Sequence, residues 1–202
     1  MMILRSSPAS PFGRKVRIAA SILGLDSRIT LEPADTTNPS DTVRAQNPLG
    51  KIPALVLDDG MVLFDSRVIV EYLDHLAGGG RIIPAEPTAR FTALRLQALA
   101  DGLMDASILQ VYEGRWRDPA KHEPKWVEHQ AGKVERALAS LEAAPPGRDA
   151  TPTVGQIALA CVLAYRDFRF HGSWRKDHPR LVKYLEDFAA AVPAFAATAP
   201  PA

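Results

Sequence analysis

Cysteine is nearly absent. The 202 residues hold one, Cys161, so no intramolecular disulfide can form, and the count fits a reducing compartment. Charge of one sign is also lacking: 24 Lys and Arg face 23 Asp and Glu, for a formal net charge of +1. Nucleic-acid binders usually carry a strong basic excess, so that class loses weight. Long apolar runs are missing. The longest, IALACVLAY from Ile157, is too short to span a bilayer. The opening MMILRSS is too short in its apolar part for a signal peptide. The five histidines show no metal-ligand spacing, and no internal repeat is present. These absences lead us to expect a soluble cytoplasmic protein without a metal, a membrane segment or a nucleic-acid partner. The hydrophobic content of 47% is ordinary for a globular chain of this length.

What is present falls into two unlike parts. Met2 to Leu4 is short and apolar and ends in the serine-proline cluster SPASP, which predicts a buried strand and a loop. Pro11 suits the first position of a helix, where its missing N–H would be unpaired anyway. Phe12, Val16, Ala19, Ala20 and Leu23 then recur at helical spacing, with Gly24 as the stop. This leaves Arg14, Lys15 and Arg17 for the solvated side of that helix. RITLE, from Arg28, predicts a second strand. The apolar runs flanking Asp59-Gly60 predict a hairpin. Helical spacing then puts Val68, Ile69, Tyr72, Leu73 and Leu76 on one face. The order is a small mixed sheet with helices on its faces, over residues 1–77. GGGRIIPAEP, 78–87, is the candidate linker. From 88 to 202 the pattern is helical throughout: about 88–116, 121–143, 153–170 and 179–191, with ATAPPA as a frayed tail.

Three places in the first part offer chemistry. Ser10, at the start of the first helix, is a natural N-cap. A hydroxyl at a helix N-terminus, after the end of a strand, also lies where open α/β sheets bind ligands, and it can donate to an anion such as a thiolate. No histidine is near in sequence and no Gly-x-Ser-x-Gly elbow surrounds it, which disfavours a nucleophilic serine. Pro53, in GKIPALVL, admits two readings: an ordinary trans proline on an edge strand, or a cis proline that turns the Ile52 backbone outward to pair with an extended peptide. Asp65-Ser66 sits between a strand and a helix. Both residues suit a cap, and the pair also suits a ligand carrying an ammonium and a carboxylate on one carbon.

Taken in order, Ser10-Pro11-Phe12-Gly13-x-x-Val16-x-Ile18, then NPLGKIPAL, then LFDSRVIVEYL, then a linker and a helical remainder resemble the glutathione S-transferase family in its bacterial, serine-type form. The resemblance implies an α/β thioredoxin-like N-terminal domain plus an all-α C-terminal helical bundle. It also implies glutathione as co-substrate and a homodimer. By that likeness Ser10 hydrogen-bonds the glutathione sulfur, with Ser7 as its rival in the same loop. Ile52 and cis Pro53 pair with the cysteinyl part, Asp65 and Ser66 grip the γ-glutamyl group, and Lys51 contacts the glycyl carboxylate. No Cys stands at the Ser10 position, which disfavours reductase chemistry.

The second part is harder to read. In VYEGRWRD, Tyr112, Arg115 and Trp116 are either core aromatics and a solvated arginine or the wall of an electrophile pocket, with Phe12 opposite. Cys161 sits in an apolar helix and reads as buried and inert. Thr153-Val154-Gly155-Gln156 departs from the family's Ser/Thr-x-x-Asp box, although Gln can still fill the third helical position. The expected function is glutathione transfer to a small electrophile. The alternatives are a non-catalytic binding or regulatory protein of the same fold, and a specialised glutathione-dependent isomerase or dehalogenase.

Overall fold

The computed structural model describes residues 1–147 and 149–201. Its first half is built on β1 (Met2–Ser6), whose Leu4 is buried. β2 (Ile29–Pro33) runs parallel to β1, with Leu4 opposite Leu31. β3 (Ala54–Val56) runs antiparallel on the other side, with Leu4 opposite Leu55. β4 (Val62–Leu63) closes the hairpin on β3, giving the order β2-β1-β3-β4. Gly60 has φ +87, the left-handed geometry for which an Asp-Gly turn is suited. α1 (Pro11–Ile22) is the crossover that a parallel pair requires, and α3 (Ser66–Leu76) covers the sheet with it. One short turn of helix, α2 (Val43–Gln46), lies in the stretch read as loop. The thioredoxin-like arrangement is therefore present.

Among the described residues the second half holds five α-helices: α4 (Pro87–Trp116), α5 (Pro124–Ala143), α6 (Val154–Phe170), α7 (Pro179–Ala191) and α8 (Pro193–Ala197). α6 is the centre, buried nearly from Val154 to Val162. Burial pushes the Cys161 thiol up to about 12, so it carries no thiolate at neutral pH. Gly155 is where α6 meets α4: a Cβ there would lie 2.5 Å from the Ala93 carbonyl oxygen. The Thr153 capping box is complete, Gln156 Oε1 accepting from the Thr153 N–H at 2.7 Å. The amide does what a carboxylate cannot. Its Nε2 donates to the Gly147 carbonyl at 2.6 Å and to Asp149 Oδ2 at 2.8 Å, tying the α5–α6 connection to the helix start.

Four sequence expectations need correction. Arg14 and Lys15 are buried, not solvated. Arg14 reaches the C-terminal segment, donating to the Phe195 carbonyl at 2.6 Å and to Thr198 Oγ1 at 3.3 Å, and burial lowers its pKa. The tail around Thr198 is docked by these bonds rather than frayed. On α3, Val68 is exposed, and Val70 fills the buried stripe with Ile69 and Leu73. The lower helix of the second part begins at Pro124, after a 3₁₀ turn at Pro119–Lys121. Residues 78–87 are held firmly. Asp74 accepts from the backbone N–H groups of Gly80, Arg81 and Ile82 at 2.8–3.0 Å, and Ile82 and Ile83 are buried in a core that runs through both halves.

Candidate functional site

Where the two halves face each other, a cleft of about 570 Å³ opens. Its inner wall comes from loops and helix starts: Ser7, Ser10 and Phe12 before and in α1, Thr36 after β2, and Lys51 and Ile52 before β3. Its outer wall comes from side chains of α4 and α6: Asp105, Ile108, Leu109, Tyr112, Arg115 and Trp116 on the first, Tyr165 and Arg169 on the second. A separate hollow of about 350 Å³ lies between the α5–α6 connection and α7, lined by Pro145, Tyr184 and Phe188, and none of the candidate residues borders it.

At the inner wall the helix-cap readings of the sequence hold. Ser10 Oγ accepts the Gly13 N–H at 3.1 Å, which uses one acceptor position and leaves its own O–H proton free to donate. The adjacent Phe12 N–H has no protein partner among the described residues, as expected of the first turn of a helix. Gly13 is required here, since a Cβ would lie 1.9 Å from Ser6 Oγ. Ser7 lines the cleft as well, so both serines of the loop reach it. The Ile52–Pro53 peptide is cis. Ile52 lies outside β3, and its N–H and C=O take no part in the backbone hydrogen bonds of the neighbouring turns. Asp65 caps α3, its Oδ1 accepting from the Arg67 N–H at 2.9 Å, and the Ser66 N–H has no protein partner among the described residues. The inner wall therefore presents an unpaired backbone donor at the start of α1 and an unpaired peptide at Ile52, while Pro53, Asp65 and Ser66 are not among the residues that line the cleft. That set fits an extended peptide with anionic ends.

Sequence reasoning missed the group that joins these parts. Asp101 on α4 is fully buried, and Lys15 Nζ of α1 donates to both its oxygens at 2.8 and 2.9 Å. Arg67 Nε of α3 lies 3.3 Å from the same carboxylate and 3.8 Å from Asp65. One carboxylate thus ties three helices from both halves. Neither charge of the buried pair has water to fall back on, so each holds the other in place. One turn along α4, Asp105 lines the cleft with its side chain exposed. Burial raises its pKa first and the Asp101 charge adds to the rise, while Arg67 and Lys51 oppose it. A lone Asp within a stretch read only as helix gave no signal for this seam.

The outer wall gathers Tyr112, Arg115 and Trp116 as the cleft-facing reading anticipated, with Phe12 opposite. Tyr165 and Arg169 were not anticipated, because they belong to a helix whose other residues are core. Tyr165 is buried and its hydroxyl pKa is raised by that burial, with Arg169 and then Arg115 pulling it back. Among the described residues no cluster of three or more His, Cys, Asp or Glu is placed to hold a metal ion, and no helix is long and apolar enough to cross a membrane.

Comparison with known proteins accords with this architecture. A family described as the N-terminal domain of glutathione S-transferase matches residues 9–76, and one described as its C-terminal domain matches 124–187. The chain is 36% identical to YibF of Escherichia coli, named as an uncharacterized GST-like protein, over 99% of both chains. A glutathione transferase family member from Pseudomonas fluorescens Pf-5, solved with bound glutathione, is 42% identical over the full length of both, with a TM-score of 0.93. It was also solved with bound S-(propanoic acid)-glutathione. A glutathione S-transferase from Methylobacillus flagellatus with glutathione bound is 36% identical over both full lengths, with a TM-score of 0.91. The two halves, the cleft between them and these full-length likenesses lead to one conclusion: the chain belongs to the glutathione S-transferase family.

Proposed function

We propose that the chain is a glutathione transferase that activates the glutathione thiol at Ser10 for attack on a small electrophile. The observation that carries this reading is the start of α1, where the free Ser10 O–H and the unpartnered Phe12 N–H meet at the inner wall of the cleft. The relatives solved with glutathione support the choice of ligand. In this reading Ile52 pairs its backbone with the cysteinyl unit, Asp65 and Ser66 take the γ-glutamyl ammonium and carboxylate, and Lys51 takes the glycyl carboxylate.

A free thiol has a pKa of about 8.5, and lowering it by roughly two units needs about 2.7 kcal/mol of preference for the thiolate. A hydroxyl donating to an anion contributes about 1.5–3 kcal/mol, and a helix N-terminus about 0.3–1 kcal/mol. The two together are sufficient. The sulfur then attacks an electrophile held against α4 and α6. The enzyme acts as a cytoplasmic homodimer in this proposal, and a monomeric mass in solution removes the dimer.

Ser10→Ala tests the reading. Glutathione should still bind by calorimetry, while thiolate absorbance falls and kcat/KM drops about 10- to 100-fold, the value of one hydrogen bond to an anion. Ser7→Ala should change neither. Full activity and full thiolate absorbance in Ser10→Ala would sink the assignment. Retention on glutathione resin with no turnover against any electrophile would favour a binding protein instead.

A further inference from the structure

The cations of the cleft divide by position. Lys51 lies on the inner wall and is close enough to Asp105 for the two charges to act on each other. Among the described residues Asp105 is the only acidic one lining the cleft. Arg115 and Arg169 lie on the outer wall, and neither forms an ion pair among the described residues. An unpaired arginine on open surface is merely solvated. These two share a concave wall with Ile108, Leu109, Tyr112 and Trp116. Each guanidinium lies against an aromatic ring, Arg115 at 5.3 Å from the Tyr112 centroid and Arg169 at 4.2 Å from that of Phe168. Such stacking fixes the plane of the fork. Arg169 Nε is buried without a hydrogen-bond partner among the described residues, and the residue lines the cleft through its other atoms. Both arginines border one cleft together with Tyr165, although 54 residues separate them in sequence.

We propose that the outer half of this cleft is a carboxylate-binding pocket, in which Arg169 and Arg115 hold an acidic electrophile by its carboxylate while its reactive carbon points inward to Ser10. The assignment rests on the reading of the inner half as a glutathione site. A planar guanidinium matches a carboxylate with two parallel hydrogen bonds, and the apolar wall strengthens that attraction by excluding water. The substrate class is a short carboxylic acid whose reactive carbon lies a few bonds from the carboxylate. With an α,β-unsaturated acid, sulfur bonds to the β-carbon, the π pair moves to the α-carbon, and that carbon takes a proton from water. With a 3-halo acid, the sulfur–carbon bond forms as the carbon–halogen bond breaks, and halide leaves with the electron pair. Both routes give the same S-(2-carboxyethyl) thioether.

Calorimetry on the full-length protein separates the pocket from the glutathione site. The probes are glutathione, S-(2-carboxyethyl)glutathione and its neutral isostere S-(2-carbamoylethyl)glutathione. The wild type should bind the carboxylate about tenfold more tightly than the amide. That ratio should fall toward one in Arg169→Gln and part of the way in Arg115→Gln, an exposed position that leaves folding intact. Turnover of acrylate and of 3-bromopropanoate, each against its amide and corrected for the uncatalysed rate, then tells addition from displacement. Equal binding of the two conjugates, with glutathione still bound, overturns the pocket and leaves the glutathione site standing. Weaker binding of all three probes alike in Arg169→Gln assigns that arginine to the peptide and also overturns it. No binding of any probe to the wild type overturns both readings.

Discussion

The two walls of the cleft are made of different materials. The inner wall offers backbone: the Phe12 N–H, the Ile52 peptide, and a serine hydroxyl that already caps a helix. The outer wall offers side chains that stand on two long helices, with Tyr112 and Arg115 on one and Tyr165 and Arg169 on the other. A wall of backbone donors depends on how the chain turns, so it is insensitive to most substitutions and suits a ligand that never changes. A wall of side chains can be rewritten one residue at a time. The buried carboxylate of Asp101 stands between them and fixes their spacing, since Lys15 and Arg67 come from the inner side and Asp101 from the outer.

That division is open to being broken. The largest effect is expected at the seam. Lys15→Met keeps the length of the side chain but leaves Asp101 buried with only Arg67, and breaking a buried pair costs about 3–5 kcal/mol. Urea unfolding checks this. The double variant Lys15→Met with Asp101→Leu should recover most of the loss, because the unpaired charge is gone. A smaller effect, about 1–3 kcal/mol for overpacking, is expected from Gly155→Ala, whose added methyl meets the Ala93 carbonyl. It pushes α6 away from α4, so it should raise KM for the electrophile while calorimetry finds glutathione affinity unchanged. Loss of both affinities would mean that the walls are not separable.

The smallest effect concerns pH. Asp105 has its pKa raised, mainly by burial, so the native protein holds this proton more tightly than the unfolded chain. Stability is therefore lost as pH rises from the ordinary carboxyl value of 3.8 through the raised native value, and the cost is constant above it. Asp105→Asn should be slightly more stable than the wild type at neutral pH, with the difference fading below about pH 4. A difference that grows at low pH would contradict the cause assigned to the shift.

Much of the inner wall was legible beforehand because its features are local. Ser10-Pro11 reads as a helix start, and the same unpaired helix end that makes it one also faces the cleft. The cap at Asp65 is legible for the first of these reasons, although neither Asp65 nor Ser66 lines the cleft. The charged residues of α1 were misread on local grounds. Helical spacing sends Arg14 and Lys15 to the side away from the sheet, and that side would be solvated if the first half stood alone. The helical half covers it. Arg14 finds the Phe195 carbonyl and Lys15 finds Asp101, both far along the chain. Val68 was misplaced in the opposite sense, as an apolar residue on a helix whose buried stripe runs through Val70.

By itself the sequence determined the main strands and helices in order, the caps at Ser10, Asp65 and Thr153, the turn at Gly60 and the family to which the chain belongs, but not the short helices α2 and α8. Each of these is set by residues within a few positions of one another, where backbone geometry and capping chemistry act. Only the tertiary structure decided which charges are buried, that Asp101 gathers Lys15 and Arg67, and that Arg115 and Arg169 face one space. Burial and pairing are properties of surfaces brought together from distant parts of the chain. A lysine reads the same in sequence whether water or a carboxylate awaits it.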